Sequence, residues 1–215
     1  MRARNCDSEP MSETDENLPK SGEIQPPIPS TDEGGAERFW QFSCQIYQSP
    51  EVEPAALALQ DDYELDVNLL LLCCFLGLHG VRATRETMAT LDQHARAWRT
   101  VAVEPLRGLR RRLKQDVGAV SAQSAADFRA QVQSLELEAE RLQQAMLFRT
   151  LERLPGKNAR EAERAGLMRL NLMLYLAHAG VEAKGPVRPH LEAIVGATIN
   201  AVLGPEEPDE GDEAG

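Results

Sequence analysis

Aromatic residues, cysteines and long apolar runs are all scarce in this 215-residue chain. Aromatic side chains make up 5% of it, and there are four cysteines. The longest apolar run, Leu69 to Leu78, is about half of the roughly 20 residues that span a bilayer, and no signal-peptide core is present. The four cysteines show no C-x-x-C spacing for zinc or redox chemistry. We therefore predict a soluble, cytoplasmic protein without membrane association, whose cysteines are buried free thiols.

Recognisable catalytic and cofactor motifs are also missing. The chain contains neither a G-x-G-x-x-G nor a G-x-x-x-x-G-K-[ST] phosphate loop, and no H-E-x-x-H zinc motif. We accordingly predict no cofactor, and an enzyme is the less favoured class.

Negative charge is present in excess, but it is concentrated at the two ends. The chain carries a net charge of −11, whereas residues 1–37 and 205–215 each carry −6, so the part between them is nearly neutral. Segments this acidic and poor in apolar residues cannot bury enough surface to fold. We predict a disordered acidic tail at 1–36, one helical domain at 37–204 and a second disordered acidic tail at 205–215.

Helical spacing of apolar residues dominates the central part, and no alternating strand pattern is convincing. We predict an all-α fold, a single bundle of seven or eight helices that includes one long helix. Pro105 predicts a kink or a new helix start, followed by an apolar stripe of Leu106, Leu109, Leu113 and Val117. The other predicted helices lie at about 36–48, 53–60, 66–80, 84 onward, 124–154, 158–180 and 189–204.

Three features refine this prediction. Asp66 is placed to cap a central helix whose segment Leu69 to Leu78 is apolar on every side and should be buried. The pattern Ser124-Ala-Ala-Asp127 resembles a capping box, after which Phe128, Val132, Leu135, Ala139, Leu142 and Met146 follow at helical steps. Asn68 and Asn171 lie inside apolar helices, where internal hydrogen bonds are favoured over a polar site in a pocket.

Four sequence segments resemble a known family: Phe39-Trp40, Leu65 to Leu71, Pro105 to Lys114 and Glu136 to Arg141. In this order they resemble an uncharacterised bacterial family of small helical cytoplasmic proteins with a domain of unknown function. The resemblance covers roughly residues 38–180. It implies a helical fold and no particular activity, cofactor or site residue.

A basic stripe is the first candidate site. Arg107, Arg110, Arg111 and Lys114 fall within about 100° of arc on one helical face, with no acidic residue between Glu104 and Asp116. Such a stripe can bind phosphate, nucleic acid or an acidic protein surface. The alternative is a solvated face, or one paired with acids on a neighbouring helix such as Glu136 and Glu140.

An acidic cluster is the second candidate. Asp61, Asp62 and Asp66 form a D-D-x-x-x-D pattern that loosely resembles the aspartate-rich magnesium sites of prenyl-transferring enzymes. The spacing differs from that pattern, and Asp66 is better used as a helix cap, so a metal site is only a weak alternative.

Two functions follow from these candidates. The first is a non-enzymatic adaptor or regulator that binds another protein through the basic stripe; nucleic acid is disfavoured because aromatics are few and the tails are acidic. The second is an enzyme or binding protein for a phosphorylated small molecule, which requires the aspartates and the arginines to face one cavity.

Overall fold

The computed structural model describes residues 33–115, 118, 120–151 and 161–203. Within these residues every regular element is a helix, which confirms the all-α prediction. A π-helical turn, Arg99–Val103, joins α4 to α5. The α-helices are α1 Glu33–Ile46, α2 Val52–Tyr63, α3 Val67–Leu78, α4 Arg85–Trp98, α5 Glu104–Arg112, α6 Ala122–Thr150, α7 Glu161–Ala179 and α8 Val187–Leu203.

The predicted tails lie outside the described residues, with one exception. Residues 33–36, which the charge pattern assigned to the first tail, form the first turn of α1. The capping pattern predicted at 158–161 also lies outside the described residues, apart from the start of α7 at Glu161.

Helix α3 is the centre of the core, as its composition predicts. All twelve of its residues are buried. The Asp66 side chain caps it by accepting hydrogen bonds from the backbone N–H groups of Asn68 (2.9 Å) and Leu69 (3.4 Å). The predicted cap and the predicted burial of the Leu69 to Leu78 segment are both confirmed.

Helix α7 packs on α3 more extensively than any other helix does. The approach is close at Gly77, where an added Cβ would lie 2.4 Å from the backbone nitrogen of Met168. Asn171, one turn further along α7, donates to the carbonyls of Cys73 (3.3 Å) and Val81 (2.9 Å) and accepts from the N–H of Ala83 (2.9 Å). Its amide thus joins α7 to α3 and to the segment that follows α3, as the internal hydrogen-bond hypothesis predicts.

Replacing Asn171 by leucine should therefore destabilise the fold by about 3 kcal/mol, because it leaves buried backbone groups without partners at about 1–3 kcal/mol each. Asn200, which is exposed on α8, provides the matched control. We expect urea unfolding of Asn200→Leu to lie within about 0.5 kcal/mol of wild type. An equally small effect of Asn171→Leu would show that the network contributes nothing to stability.

The helix break predicted near Pro105 takes the form of a π-helical turn. The N–H of Glu104 bonds the carbonyl of Arg99, a five-residue step, and Pro105 follows in the first turn of α5. Proline has no N–H, so a wider turn immediately before it loses little backbone bonding. As a result α4 and α5 follow each other without a loop.

The long helix α6 has the predicted length but a different buried face. It contains 29 residues and begins after Ser121, whose hydroxyl accepts from the N–H of Ser124, so the predicted start at Ser124 is three residues late. Of the apolar series at helical steps, Phe128, Leu135 and Leu142 are 50%, 58% and 50% exposed, whereas Val132 and Ala139 are buried. The residues buried on α6 also include Glu136, Glu140, Gln143 and Gln144, because the neighbouring helices present polar partners to it.

Candidate functional site

An ion cluster joins α5 to α6. Arg107 donates from Nε to Glu136 Oε1 (3.1 Å) and from Nη2 to Glu140 Oε1 (2.9 Å). Arg110 binds both oxygens of Glu136, at 3.1 Å from Nη2 to Oε1 and through Nε to Oε2. The two arginine side chains are 15% and 7% exposed. Helix α5 therefore contacts α6 through Arg107 and Arg110, and Leu106, Leu109 and Leu113 are partly buried beside them.

This arrangement pairs two of the four residues of the basic stripe with acids of a neighbouring helix. Arg107 and Arg110 are neutralised by Glu136 and Glu140, which is the alternative that the sequence left open. Arg111 is half-exposed and pairs with Asp61, and Lys114 is exposed. The positive potential expected over four side chains is thus largely cancelled, because their acidic partners lie about 25 to 50 residues away in the sequence.

The ion cluster shifts the pKa values of Glu136 and Arg107. Burial of the Glu136 carboxyl raises its pKa, but the hydrogen bond and charge of Arg110, followed by those of Arg107, outweigh burial and lower the pKa. Burial of Arg107 lowers its pKa, and the charges of Glu140 and Glu136 more than reverse that effect. Both groups consequently stay ionised at neutral pH.

A cavity of about 530 Å³ adjoins the ion cluster. Its wall is built from the end of α2, residues 64–66, the start of α3, then α4, the π-helical turn and α5, with two residues each from α6 and α7. Most of the wall is polar, and the side chains that dominate it are carboxylates and guanidinium groups. We call it the charged cavity.

Arg99, in the π-helical turn, is a cavity residue that the sequence patterns did not indicate. Its Nη1 donates to Asp66 Oδ2 (3.0 Å) and its Nε to Glu104 Oε1 (3.1 Å). Burial of Arg99 lowers its pKa, but the charge of Asp66 and its hydrogen bond outweigh this and raise the pKa. A π-helical turn leaves no recognisable spacing in the sequence, so nothing there distinguishes Arg99 from other helical arginines.

The three aspartates of the acidic cluster have different surroundings. Asp66 lines the cavity, but its carboxylate is occupied by the α3 cap, by Arg99 and by Gln143 (2.7 Å). Asp61 also lines the cavity and accepts two hydrogen bonds from Arg111, at 2.9 and 3.1 Å. Asp62 is exposed and is not part of the wall. Asp61 and Asp66 therefore face the same cavity as Arg107 and Arg111. Asp66 also serves as the cap of α3.

Tyr175 of α7 forms part of the cavity wall. Its hydroxyl accepts from the backbone N–H of Asp66 (2.8 Å). Burial, and secondarily the charge of Asp66, raises the pKa of this phenol, so it remains protonated. Tyr175 thereby connects α7 to Asp66, in the short segment between α2 and α3.

Arg99 and Arg107, on the cavity wall, each have N–H groups that do not donate to the described protein groups. Arg107 uses Nε and Nη2 for its glutamates, and Arg99 uses Nε and Nη1 for its carboxylates. In the described part of the chain, neither Arg107 Nη1 nor Arg99 Nη2 donates to a protein acceptor. Since a guanidinium carries five N–H groups, each arginine can bind an oxygen anion while keeping its structural partners.

Other site chemistries find less support. Among residues 33–115, 118, 120–151 and 161–203, no group of three or more His, Cys, Asp or Glu side chains is arranged to hold a metal ion. No helix in the same residues is long and apolar enough to cross a membrane. Cys73 and Cys74 are buried free thiols as predicted, and burial raises the pKa of both, that of Cys74 to about 12. The prediction is wrong for Cys44, which is disulfide-bonded.

Fold and site together define an all-helical protein with a charged cavity beside a buried ion cluster. The chain belongs to the family described as a protein of unknown function, DUF2390, whose family model matches residues 38–147. This confirms the resemblance, although the match ends within α6, so Tyr175 lies beyond it. No curated protein and no solved structure matches the chain.

Proposed function

We propose that this protein binds a small anionic molecule, bearing a phosphate or carboxylate group, in the charged cavity. The observation that carries the proposal is the pair Arg99 and Arg107. Their side chains are only 18% and 15% exposed, both line the cavity, and both retain N–H donors that no described protein group accepts.

Partly buried guanidinium groups suit this role for two physical reasons. They bind oxygen anions with two parallel hydrogen bonds, and these bonds are stronger where water is partly excluded. Here the carboxylates of Asp66, Glu136 and Glu140 also hold the guanidinium planes in place, so little side-chain entropy remains to be lost on binding.

The backbone of the site supports the same proposal. Arg99 begins the π-helical turn that separates α4 from α5. Short π-helical turns within α-helices occur frequently at functional sites, and they are retained although their hydrogen-bond geometry is poorer than that of an α-helix. In this chain the turn places Arg99 and Arg107 on the wall of the same cavity.

The adaptor hypothesis is the weaker of the two functions that the sequence raised. It needs a basic helix face that is accessible to a macromolecule. Of the four residues assigned to that face, only Arg111 and Lys114 are exposed, and Arg111 is paired with Asp61. A small anion requires no such face, because it can enter the cavity itself.

Arg111 provides the cleanest test, because the chain offers a matched control. Arg111 pairs with Asp61 at 2.9 Å and the two side chains are 49% and 45% exposed; Arg169 pairs with Glu192 at 2.8 Å with exposures of 47% and 42%. Both pairs are surface ion pairs worth at most about 1 kcal/mol. Only Arg111 lines the cavity.

We expect Arg111→Gln to weaken binding about tenfold, or about 1.4 kcal/mol, because it removes a positive charge from the cavity wall and leaves the Asp61 carboxylate there without its cation. Arg169→Gln should leave affinity unchanged, and both variants should melt within a few degrees of wild type. The measurement is isothermal titration of the full chain with inorganic phosphate, glycerol 3-phosphate, glutarate and glutamate. Equal losses in the two variants, or no binding of any of these probes to wild type, would contradict the proposal.

A further inference from the structure

The charged cavity contains more carboxylates than guanidinium groups. A ligand that carries only negative charge would increase this excess, and charge of one sign is costly where solvent is limited. The charged groups on its wall are six acids, Asp61, Glu64, Asp66, Asp92, Glu104 and Glu140, and four arginines, Arg96, Arg99, Arg107 and Arg111.

Among these acids, Glu64 differs from the rest. The other five each pair with an arginine on the same wall. The side chain of Glu64, by contrast, makes no hydrogen bond or ion pair with any described residue, although its backbone N–H bonds the carbonyl of Leu59. Its carboxylate is therefore available to a ligand without the loss of a structural contact.

The backbone at Glu64 is also unusual. Its φ of 55° makes it the one non-glycine residue with a left-handed backbone among the described residues. It ends α2 in a turn closed by the bond from the N–H of Leu65 to the carbonyl of Leu59 (3.2 Å). Glycine is the preferred residue at that place, because a Cβ is strained there. A glutamate in this conformation thus costs stability, and an available carboxylate on a cavity wall gives a functional reason for it.

The ends of α2 and α5 approach each other at the cavity. The ion pair between Asp61, in the last turn of α2, and Arg111, in the last turn of α5, joins them directly. Glu64 follows Asp61 by three residues, and Arg107 precedes Arg111 by one helical turn. A carboxylate without a partner and guanidinium groups with spare donors therefore line one space of about 530 Å³.

We propose that the ligand is zwitterionic: its anionic group binds Arg99 and Arg107, and its protonated amine binds Glu64. The chemical class is a small amino acid or amino phosphate. This inference rests on the proposed function and goes further, because it names the second charged group of the ligand and the residue that recognises it.

Matched ligand pairs isolate the contribution of the amine. Glutamate and glutarate differ in the amino group, as do phosphoethanolamine and ethyl phosphate. In isothermal titrations of the full chain, the amine-bearing member of each pair should bind at least about tenfold more tightly, as expected for one charge-assisted hydrogen bond. In Glu64→Gln the difference should shrink to about twofold or less, while the affinity for glutarate stays the same or rises.

Glu64→Gly combines two measurements, the melting temperature and the preference for amine-bearing ligands. A purely structural role of Glu64 would not change the second. The substitution should raise the melting temperature by about 2–4 °C, because glycine relieves the left-handed strain, and it should abolish the preference for the amine. Both results together show that the glutamate is retained for binding at the expense of stability.

The outcomes separate the two proposals. If glutarate and ethyl phosphate bind to wild type as tightly as their amine-bearing counterparts, or if Glu64→Gln keeps the preference, the zwitterion inference is wrong and the anion site stands. If none of the four probes binds, the proposed function fails and the inference fails with it.

Discussion

Replacing Gly77 by alanine is expected to prevent α3 and α7 from packing in their native arrangement. The new Cβ would lie 2.4 Å from the nitrogen and 2.6 Å from the Cα of Met168. These are backbone atoms in the middle of α7, so no side-chain rotation can relieve the overlap. Overpacking of a core costs about 1–3 kcal/mol where neighbours can adjust and more where they cannot. We expect a loss of at least about 3 kcal/mol, measured by chemical unfolding, or failure to fold.

Gly166 provides the control on α7 itself. Nothing lies within 4 Å of a Cβ added there. Because alanine favours the helix over glycine by about 1 kcal/mol, Gly166→Ala should stabilise the protein slightly. We therefore expect Gly77→Ala to lower the free energy of unfolding and Gly166→Ala to raise it. A Gly77→Ala protein as stable as wild type would show that α3 and α7 do not pack as described.

Removing the charge of Glu136 is expected to have the second largest effect. Glu136→Gln leaves Arg107 and Arg110 in a buried site with one carboxylate fewer. Removing the charge of one partner in a buried ion pair lowers the free energy of unfolding by about 3–5 kcal/mol. We expect the lower end of this range because glutamine still accepts hydrogen bonds. Glu138, exposed two residues further along α6, is the control, and Glu138→Gln should change the free energy of unfolding by less than about 0.5 kcal/mol.

The pH dependence of this effect has a definite sign. The pKa of Glu136 is lowered in the folded protein, so its stabilising contribution is complete above the ordinary glutamate pKa of about 4.3 and is lost as the pH falls through the lower folded value. The difference in stability between wild type and Glu136→Gln should therefore be constant near neutral pH and shrink below about pH 4. A difference that persists unchanged into that range would contradict the assigned ion cluster.

The parts of the fold that have local physical causes are predictable from the sequence. The burial of α3 follows from an apolar run flanked by a capping aspartate, and both signals lie within about fifteen residues. It was predictable that the Asn171 side chain makes internal hydrogen bonds, since a buried amide requires partners. The particular partners, such as the backbone of Val81, depend on tertiary packing and were not predictable.

Which faces of α5 and α6 are buried could not be predicted from the sequence. A periodic pattern separates a helix into a leucine face and an arginine face, but which face is buried depends on the helix opposite. On α5 the basic face is divided: Arg107 and Arg110 pack against Glu136 and Glu140 of α6, whereas Arg111 and Lys114 are exposed. Those glutamates were recognised as candidate partners, yet composition alone favours leucine over arginine in a core.

The charged cavity was predictable in part. Asp61 and Arg111 each belonged to a candidate cluster, but only the fold shows that they meet. Arg99 depends on a π-helical turn, and Glu64 depends on a left-handed backbone at the end of α2. Neither conformation has a signature in residue type, since glycine rather than glutamate is the residue expected at the second position.

The most direct test of the charged cavity as an anion site is a ¹⁵N NMR titration that observes arginine side chains in the full chain. The Nε–H groups of Arg99 and Arg107 are held by carboxylates and should give resolved signals. Titration with phosphate, glutarate and glutamate in turn should shift both signals with a saturating dependence on concentration for at least one probe. The Nε–H signal of Arg169, paired with Glu192 on α8, should not move. If no probe shifts the Arg99 and Arg107 signals, or if only exposed arginines such as Arg169 respond, the cavity is not an anion site.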